Sequence, residues 1–195
     1  VNNITGDTIA FGGRIIRESK LAKYINSPET EFYKKGNMIF NLDKAKDSRS
    51  ETDEVLVVEG YMDVVSVYSS GVKNVIANSG TALTERQISL IWKFFSNPII
   101  CLDGDESGYK AAVRAAENAI KELKPAKQIS FLFLPDKEDP DSYVNKNCKN
   151  YFVEFTKQSK LSIHQFIFSH YKKQTDNNPS SMAIFEKKLR AIAST

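Results

Sequence analysis

The sequence has few cysteines, few histidines and no long apolar run, and each scarcity excludes a class of protein. Two cysteines in 195 residues cannot build the disulfide framework of a small secreted domain. With only two histidines they also make no zinc-ligand set of the usual spacing. No apolar stretch approaches the roughly 20 residues that cross a bilayer. These absences favour a protein of the reducing cytoplasm with no membrane segment.

The chain also lacks a strong net charge and a recognisable amino-terminal signal. Lys and Arg number 27 against 24 Asp and Glu, which gives a formal net charge of +3. A role with nucleic acid would therefore depend on local clusters of charge rather than on bulk charge. The start, Val1-Asn2-Asn3, has neither a signal peptide nor an initiator Met, and we expect the chain to be a fragment.

What the sequence does contain is an alternation of short apolar runs with amphipathic stretches between residue 54 and about residue 145. This alternation predicts βα units around a parallel sheet, and hence an α/β fold with helices flanking the sheet. The predicted strands are 55–58, 73–77, 98–102 and 129–134, and the predicted helices are about 61–70, 84–95 and 107–123. Ser107 is the predicted N-cap of the last helix, and Thr84 with Gln87 forms a predicted capping box.

Two flanking regions differ in character from this central part. Residues 1–50 hold short β-like pieces and scattered cations, which predicts a partial amino-terminal α+β subdomain. Residues 51–147 contain the predicted sheet. Residues 148–195 carry apolar residues at helical spacing, which predicts a helical subdomain with no strand after about residue 149.

Acidic side chains follow three of the four predicted strands. In an open parallel sheet, binding sites form at the carboxyl ends of the strands. Carboxylates gathered there repel one another unless a cation neutralises them, and hard oxygen ligands suit Mg²⁺. Taken singly, each acid is an ordinary turn or N-cap residue, but three clusters in register favour a metal site. The six positions are Glu59, Asp63, Asp103, Asp105, Asp139 and Asp141.

Two further segments suggest contacts with phosphate. Cations at Arg14, Lys23 and Lys35 are interleaved with aromatic residues, a pattern that suits single-stranded nucleic acid. A solvated basic face over buried aromatics explains the same pattern, and the residues alone leave both readings open. Ser79-Gly80-Thr81 follows a predicted strand and precedes a helix, where hydroxyls and backbone N–H groups hold phosphate.

Four strings of this sequence resemble the Toprim domain of DnaG-type bacterial primases. They are Val58 to Asp63, Asn78 to Thr84, Leu102 to Asp105 with Gly108, and Leu134 to Asp141. Asn26-Ser27-Pro28-Glu29-Thr30 resembles the amino-terminal subdomain of the same primases, and other Toprim families do not carry it. Lys137 is a departure, because the family often has Gly at that position.

The resemblance implies an enzyme that makes RNA primers from NTPs on a single-stranded DNA template. It implies that Mg²⁺, with Mn²⁺ as a substitute, is bound by the six acids, with catalytic roles for Glu59, Asp103 and Asp105. It assigns phosphate and template contacts to Arg14, Lys23 and Lys35, with Asn26 nearby. We expect a cytoplasmic bacterial monomer whose zinc-binding and helicase-binding domains are absent from this chain.

Two other functions stay open at this point. One is DNA cleavage by a Toprim nuclease or topoisomerase, although this sequence supplies no separate domain with a catalytic tyrosine. The other is a catalytically inactive Toprim-like module that only binds DNA or a replication partner. Stabilisation by Mg²⁺ and NTP would separate the last reading from the enzymatic ones.

Overall fold

The computed structural model describes residues 1–15, 24–78, 83–176 and 178–194. Its main feature is a five-stranded sheet with the order β4-β3-β5-β6-β7. The strands are β3 (Glu54–Val58), β4 (Val75–Ala77), β5 (Asn97–Leu102), β6 (Ser130–Phe133) and β7 (Leu161–Ser162). The first four are mutually parallel, and β7 is antiparallel to β6. The predicted parallel α/β sheet is therefore confirmed.

Helices cover both faces of this sheet, because the buried strand residues alternate between two apolar clusters. On one face Val57, Ile100 and Phe131 pack with the helices α3, α4 and α7. On the other face Val58, Cys101 and Leu132 pack with α2, α5 and α6. The helices are α1 (Leu42–Ala45), α2 (Tyr61–Ser69), α3 (Glu85–Ile91), α4 (Glu106–Glu122), α5 (Pro140–Lys146), α6 (Lys149–Ser159), α7 (Ile163–Lys173) and α8 (Pro179–Ala193).

The amino-terminal region attaches to the edge of this sheet. A small antiparallel pair, β1 (Gly12–Arg14) and β2 (Tyr24–Asn26), precedes 3₁₀ turns at Lys35–Asn37 and Lys46–Ser50. Phe40 exchanges two backbone hydrogen bonds with Ala77, at 2.8 and 3.2 Å, and so covers the outer edge of β4. The amino-terminal region is thereby bonded directly to the parallel sheet.

Three local predictions have clear outcomes. The capping box of Thr84 and Gln87 is confirmed, with Thr84 Oγ1 accepting from the Gln87 N–H at 3.1 Å. The N-cap of α4 is Asp105, so the prediction of Ser107 was wrong. The prediction of no strand after residue 149 was also wrong, because Leu161 and Ser162 extend the sheet beside β6. Such a short strand has no periodicity that a sequence pattern could reveal.

Cys101 is buried in β5 and Cys148 is exposed, and both are free thiols. Among the described residues, no helix combines the length and the apolar character that a membrane span requires.

Candidate metal and nucleotide site

Three acidic loops meet at one edge of the sheet, because β3, β5 and β6 are parallel and end on the same side. The loop after β5 and the loop after β6 are joined by backbone hydrogen bonds. Gly104 N–H donates to the Glu138 carbonyl at 3.0 Å, and Lys137 N–H donates to the Gly104 carbonyl at 3.3 Å. The Asp-Gly-Asp segment and the segment that leads to Asp139 therefore form one continuous surface.

Two glycines make this close approach possible. A Cβ on Gly104 would lie 2.0 Å from the Pro135 carbonyl oxygen, and a Cβ on Gly108 would lie 2.4 Å from the Asp103 carbonyl oxygen. Both obstacles are backbone atoms that cannot rotate away. Only glycine lets the loop from residue 103 to 105 pack between the neighbouring loop and the start of α4.

Several of the six acids also stabilise their own turns. Asp63 Oδ2 accepts from the Gly60 N–H at 2.9 Å, and Asp105 Oδ1 accepts from the Gly108 N–H at 2.7 Å. Asp139 Oδ1 accepts from the Ser142 N–H at 2.6 Å, which caps α5. The capping role that we weighed against metal binding is thus present. The two roles are compatible, because a carboxylate has a second oxygen with which to bind a cation.

Asp141 is anchored by side chains rather than by its own backbone. Its Oδ1 accepts from the Ser66 hydroxyl at 2.5 Å and from the Asn145 amide at 2.7 Å. Ser66 lies on α2, the helix whose first turn carries Asp63. The structure therefore connects the acid after β3 to the acids after β6. Sequence reasoning missed both Ser66 and Asn145, because no local pattern reports a contact between distant helices.

Burial and neighbouring negative charges together raise the pKa values of two of these acids, Glu59 and Asp63. Burial first, and then the charges of Asp103, Asp63 and Asp105, raise the pKa of Glu59 from 4.5 to about 7. Burial also raises the pKa of Asp63 from 3.8 to about 6. The Gly60 N–H opposes this rise, whereas Asp103, Asp139 and Asp141 add to it. The charges of acids from all three loops therefore act on Glu59 or on Asp63.

This donor set fits a hard divalent cation. Within the described ranges, no group of three or more His, Cys, Asp or Glu side chains is already arranged as a finished metal site. Mg²⁺ does not need such a cage, since it is usually held by one or two carboxylates together with waters and substrate phosphates. The carboxylate oxygens and their mutual repulsion match a cation that binds together with a phosphorylated substrate.

A cation that sequence reasoning did not assign to the site lies on α4. Arg114 is exposed and lines a cavity of about 170 Å³ together with Glu59, Asn78 and Ser107. Its charge partly counteracts the rise in the pKa of Glu59. Its spacing of seven residues from Ser107, two helical turns, is the signal that places both on one side.

The basic segment is only partly described. Lys23, Ser79, Gly80 and Thr81 lie outside the described residues. Arg14 is exposed on β1, and Lys35 is half-buried at the start of its 3₁₀ turn. Tyr33 is buried, as expected for a basic face over buried aromatics. Phe11 and Phe32 are 76% and 77% exposed, as expected for a surface that stacks on nucleic-acid bases.

Asn26 is linked to the acidic edge through Tyr61, a residue that sequence reasoning missed. The Tyr61 hydroxyl donates to Asn26 Oδ1 at 2.8 Å, and the Tyr61 ring packs edge-on against Phe40 at 4.7 Å between centroids. Tyr61 also lies so close to Gly12 that a Cβ there would be 2.5 Å from its ring. Tyr61 begins α2 two residues after Glu59, so the amino-terminal hairpin is packed directly beside the candidate site.

Comparisons with known proteins bear on both regions. Residues 56–144 match a Toprim-like family model, and residues 1–46 match the model of the DNA primase catalytic core, N-terminal domain. A DNA primase of Pasteurella multocida is 44% identical over 171 residues, which cover 88% of this chain and 29% of that protein. The chain thus spans under a third of the length of this curated relative.

Solved structures give the same picture. The Escherichia coli primase catalytic core matches all of this chain with a TM-score of 0.92 and 36% identity, and 62% of its own length is covered. A DnaG primase catalytic domain bound to ssDNA matches with a TM-score of 0.92, 35% identity and the same coverage. The zinc-binding and RNA polymerase domains of the Aquifex aeolicus primase match 98% of this chain and 45% of their own length, with a TM-score of 0.78 and 32% identity.

Proposed function

Because the chain belongs to the family of DnaG-type DNA primases, as part of a catalytic core with a Toprim domain, we propose that it carries out nucleotidyl transfer. The product would be a short RNA primer made from NTPs on single-stranded DNA. The observation that carries this proposal is that the acidic loops after three parallel strands lie at one edge of the sheet and are joined by hydrogen bonds. Within this proposal the chain divides into residues 1–50, 51–147 and 148–195.

In this reaction the task of the acids is to bind the metal, and Glu59 is also a candidate for proton transfer. Bound Mg²⁺, or Mn²⁺ in its place, would supply charge stabilisation at the attacking and leaving oxygens of an in-line displacement. Five of the acids would bind the metal: Asp63, Asp103, Asp105, Asp139 and Asp141. Glu59 is either a further ligand or the group that takes the proton of the primer 3′-hydroxyl, for which a pKa of about 7 is suitable.

The basic residues have the complementary task of holding phosphate. Arg14 has the planar guanidinium that binds a phosphate with two hydrogen bonds, and Lys23 and Lys35 supply point charges. Asn26 and the Ser79-Gly80-Thr81 segment complete the proposed nucleotide and template contacts. Binding of single-stranded DNA by a related catalytic domain supports this assignment.

The whole protein would bring further partners. We propose that it works as a monomer in the bacterial cytoplasm, with zinc in a separate amino-terminal domain and a replicative helicase docked on a carboxyl-terminal one. The occurrence of a zinc-binding domain beside the polymerase domain in the Aquifex aeolicus primase supports the first part. DNA cleavage and an inactive binding module are the competing functions, and no described residue favours either.

Thermal unfolding with and without ligands tests the proposal on the chain itself. Mg²⁺ together with an NTP should raise the melting temperature of the unmodified chain, because ligands that bind only the folded state stabilise it. Asp103→Asn should lose this rise. Asp47→Asn changes an exposed acid in the 3₁₀ turn that precedes β3, and this variant should keep the rise. An unmodified chain that responds to neither ligand would leave the inactive module as the better reading.

A further inference from the structure

The Asp141 carboxylate is held in a different way from its neighbours. Asp63, Asp105 and Asp139 each accept a hydrogen bond from a backbone N–H of their own turn. Asp141 instead accepts two side-chain hydrogen bonds, one from Ser66 on α2 and one from Asn145 on its own helix. Two dedicated side chains thus perform for Asp141 what the backbone performs for the others.

Both of these hydrogen bonds end on the same oxygen. Ser66 and Asn145 donate to Oδ1 of Asp141 at 2.5 and 2.7 Å. Among the residues that the structure describes, none donates a hydrogen bond to Oδ2. The two donors therefore fix the rotation of the carboxylate about its Cβ–Cγ bond and leave one oxygen available for a cation.

The position of Ser66 on α2 adds a second constraint. Ser66 follows Asp63 by three residues, so the two side chains lie on the same face of the helix. That face packs against α5, the helix that begins at Pro140 and contains Asp141. The hydrogen bond from Ser66 therefore also sets the separation between Asp63 and the acids of α5.

We propose that Ser66 and Asn145 are positioning residues of the metal site, which orient Asp141 so that Oδ2 faces the cation. This inference rests on the proposed function, because it takes Asp141 to be a metal ligand. Hydrogen-bond partners of ligating carboxylates commonly govern metal affinity by about 10- to 100-fold. A mere tether between α2 and α5 would affect the folding stability of the chain and leave metal affinity unchanged.

Metal binding to the 195-residue chain tests this inference without any measurement of activity. Mn²⁺ titrations followed by the electron paramagnetic resonance signal of the free ion give the affinity, and competition with Mg²⁺ gives the second affinity. Ser66→Ala should weaken binding by about tenfold or more. Ser66→Thr keeps a hydroxyl and should restore most of the affinity. Asn145→Ala, at an exposed position, should weaken binding without unfolding the chain.

Ser70→Ala is the matched control for these variants. Ser70 caps the end of the same helix, and its hydroxyl donates to the Val67 carbonyl at 2.7 Å rather than to Asp141. Its removal should leave metal affinity unchanged. Ser66→Ala and Asn145→Ala that bind Mn²⁺ as tightly as the unmodified chain, or more tightly, would overturn the inference alone. An unmodified chain that binds neither ion would overturn the proposed function as well.

Discussion

The residues at the acidic edge of the sheet are constrained by more close contacts than those of the basic amino-terminal surface, which carries Arg14 and Lys35. At the acidic edge, two glycines fit against backbone oxygens and each of four carboxylates has an oxygen fixed by a hydrogen bond. On the basic surface, Arg14 lies on a three-residue strand, Phe32 lies outside the helices and strands, and both residues are exposed. Metal ligation depends on the direction of each oxygen, whereas attraction of a polyanion depends mainly on charge. The two regions should therefore respond differently to conservative substitution.

The largest expected effect is the loss of charge at Asp105. Asp105→Asn keeps an N-cap for α4, since Asn caps helices as well as Asp does, but removes a proposed metal ligand. Primer synthesis by the full-length protein should fall by more than about 100-fold while the melting temperature stays near that of the unmodified protein. Asp105→Ala should lose the same activity and also the cap. Full activity in either variant would contradict the metal-site model.

Next in size is the steric requirement for glycine in the acidic loops. Gly104→Ala places a Cβ against the Pro135 carbonyl and should destabilise the chain by about 3 kcal/mol or more. Gly13→Ala, on strand β1, is the control, because the added Cβ would lie 3.9 Å from its nearest neighbour, the backbone oxygen of Ile25. Chemical unfolding of both variants measures the contrast. If Gly104→Ala and Gly13→Ala are equally stable, the acidic loops are no more sensitive to an added Cβ than the amino-terminal strand pair.

The pH dependence of stability should reveal the crowded acids. Burial raises the pKa of Glu59 to about 7 and that of Asp63 to about 6, so the folded chain binds more protons than the unfolded chain between about pH 4 and 7. The contribution of these groups to stability is therefore present at low pH and is lost as the pH rises through the folded pKa values.

Melting temperatures at pH 5.5 and 8 test this expectation. The stabilisation by Mg²⁺ should be larger at pH 8, where the carboxylates are ionised and repel one another. In the absence of Mg²⁺, Glu59→Gln should reduce the difference between the melting temperatures at pH 5.5 and at pH 8. A gain from Mg²⁺ that is equal at both pH values would show that these acids are not where the cation binds.

A smaller effect is expected on the basic surface. Lys35→Arg should leave binding of single-stranded DNA nearly unchanged, because the charge is retained. Lys35→Ala should weaken binding for every template sequence and lower the slope of log affinity against log salt by about one. Fluorescence anisotropy at several salt concentrations measures both. A slope that stays constant in Lys35→Ala would mean that Lys35 does not contact phosphate.

The smallest effect should come from Lys137, whose φ of 63° lies in the left-handed region. Lys137→Gly removes the clash of a Cβ in that conformation and should stabilise the chain by up to about 1 kcal/mol. Lys137→Ala removes the charge but keeps the Cβ, and so serves as the control. If both variants stabilise equally, charge rather than backbone strain is the cause.

The sequence predicted the parts of this structure that depend on local pattern. Apolar runs located β3, β5 and β6, and the acids after them had to share an edge once those strands were parallel. The position of the α4 N-cap was missed by two residues, because Asp105 and Ser107 are both good capping residues. The contacts of Ser66 with Asp141 and of Tyr61 with Asn26 join distant segments, and no periodicity within one segment encodes them.

The two outer margins of the parallel sheet, the edge strands β4 and β6, are each paired with a segment from outside residues 51–147. Phe40 is paired with β4 at one margin, and Leu161 with Ser162 is paired with β6 at the other. Unpaired strand margins recruit strands from other molecules and so promote aggregation. Residues 51–147 produced alone would expose both margins. A useful expression boundary for this Toprim region therefore lies before Phe40 and after Ser162, well outside the region that carries the acids.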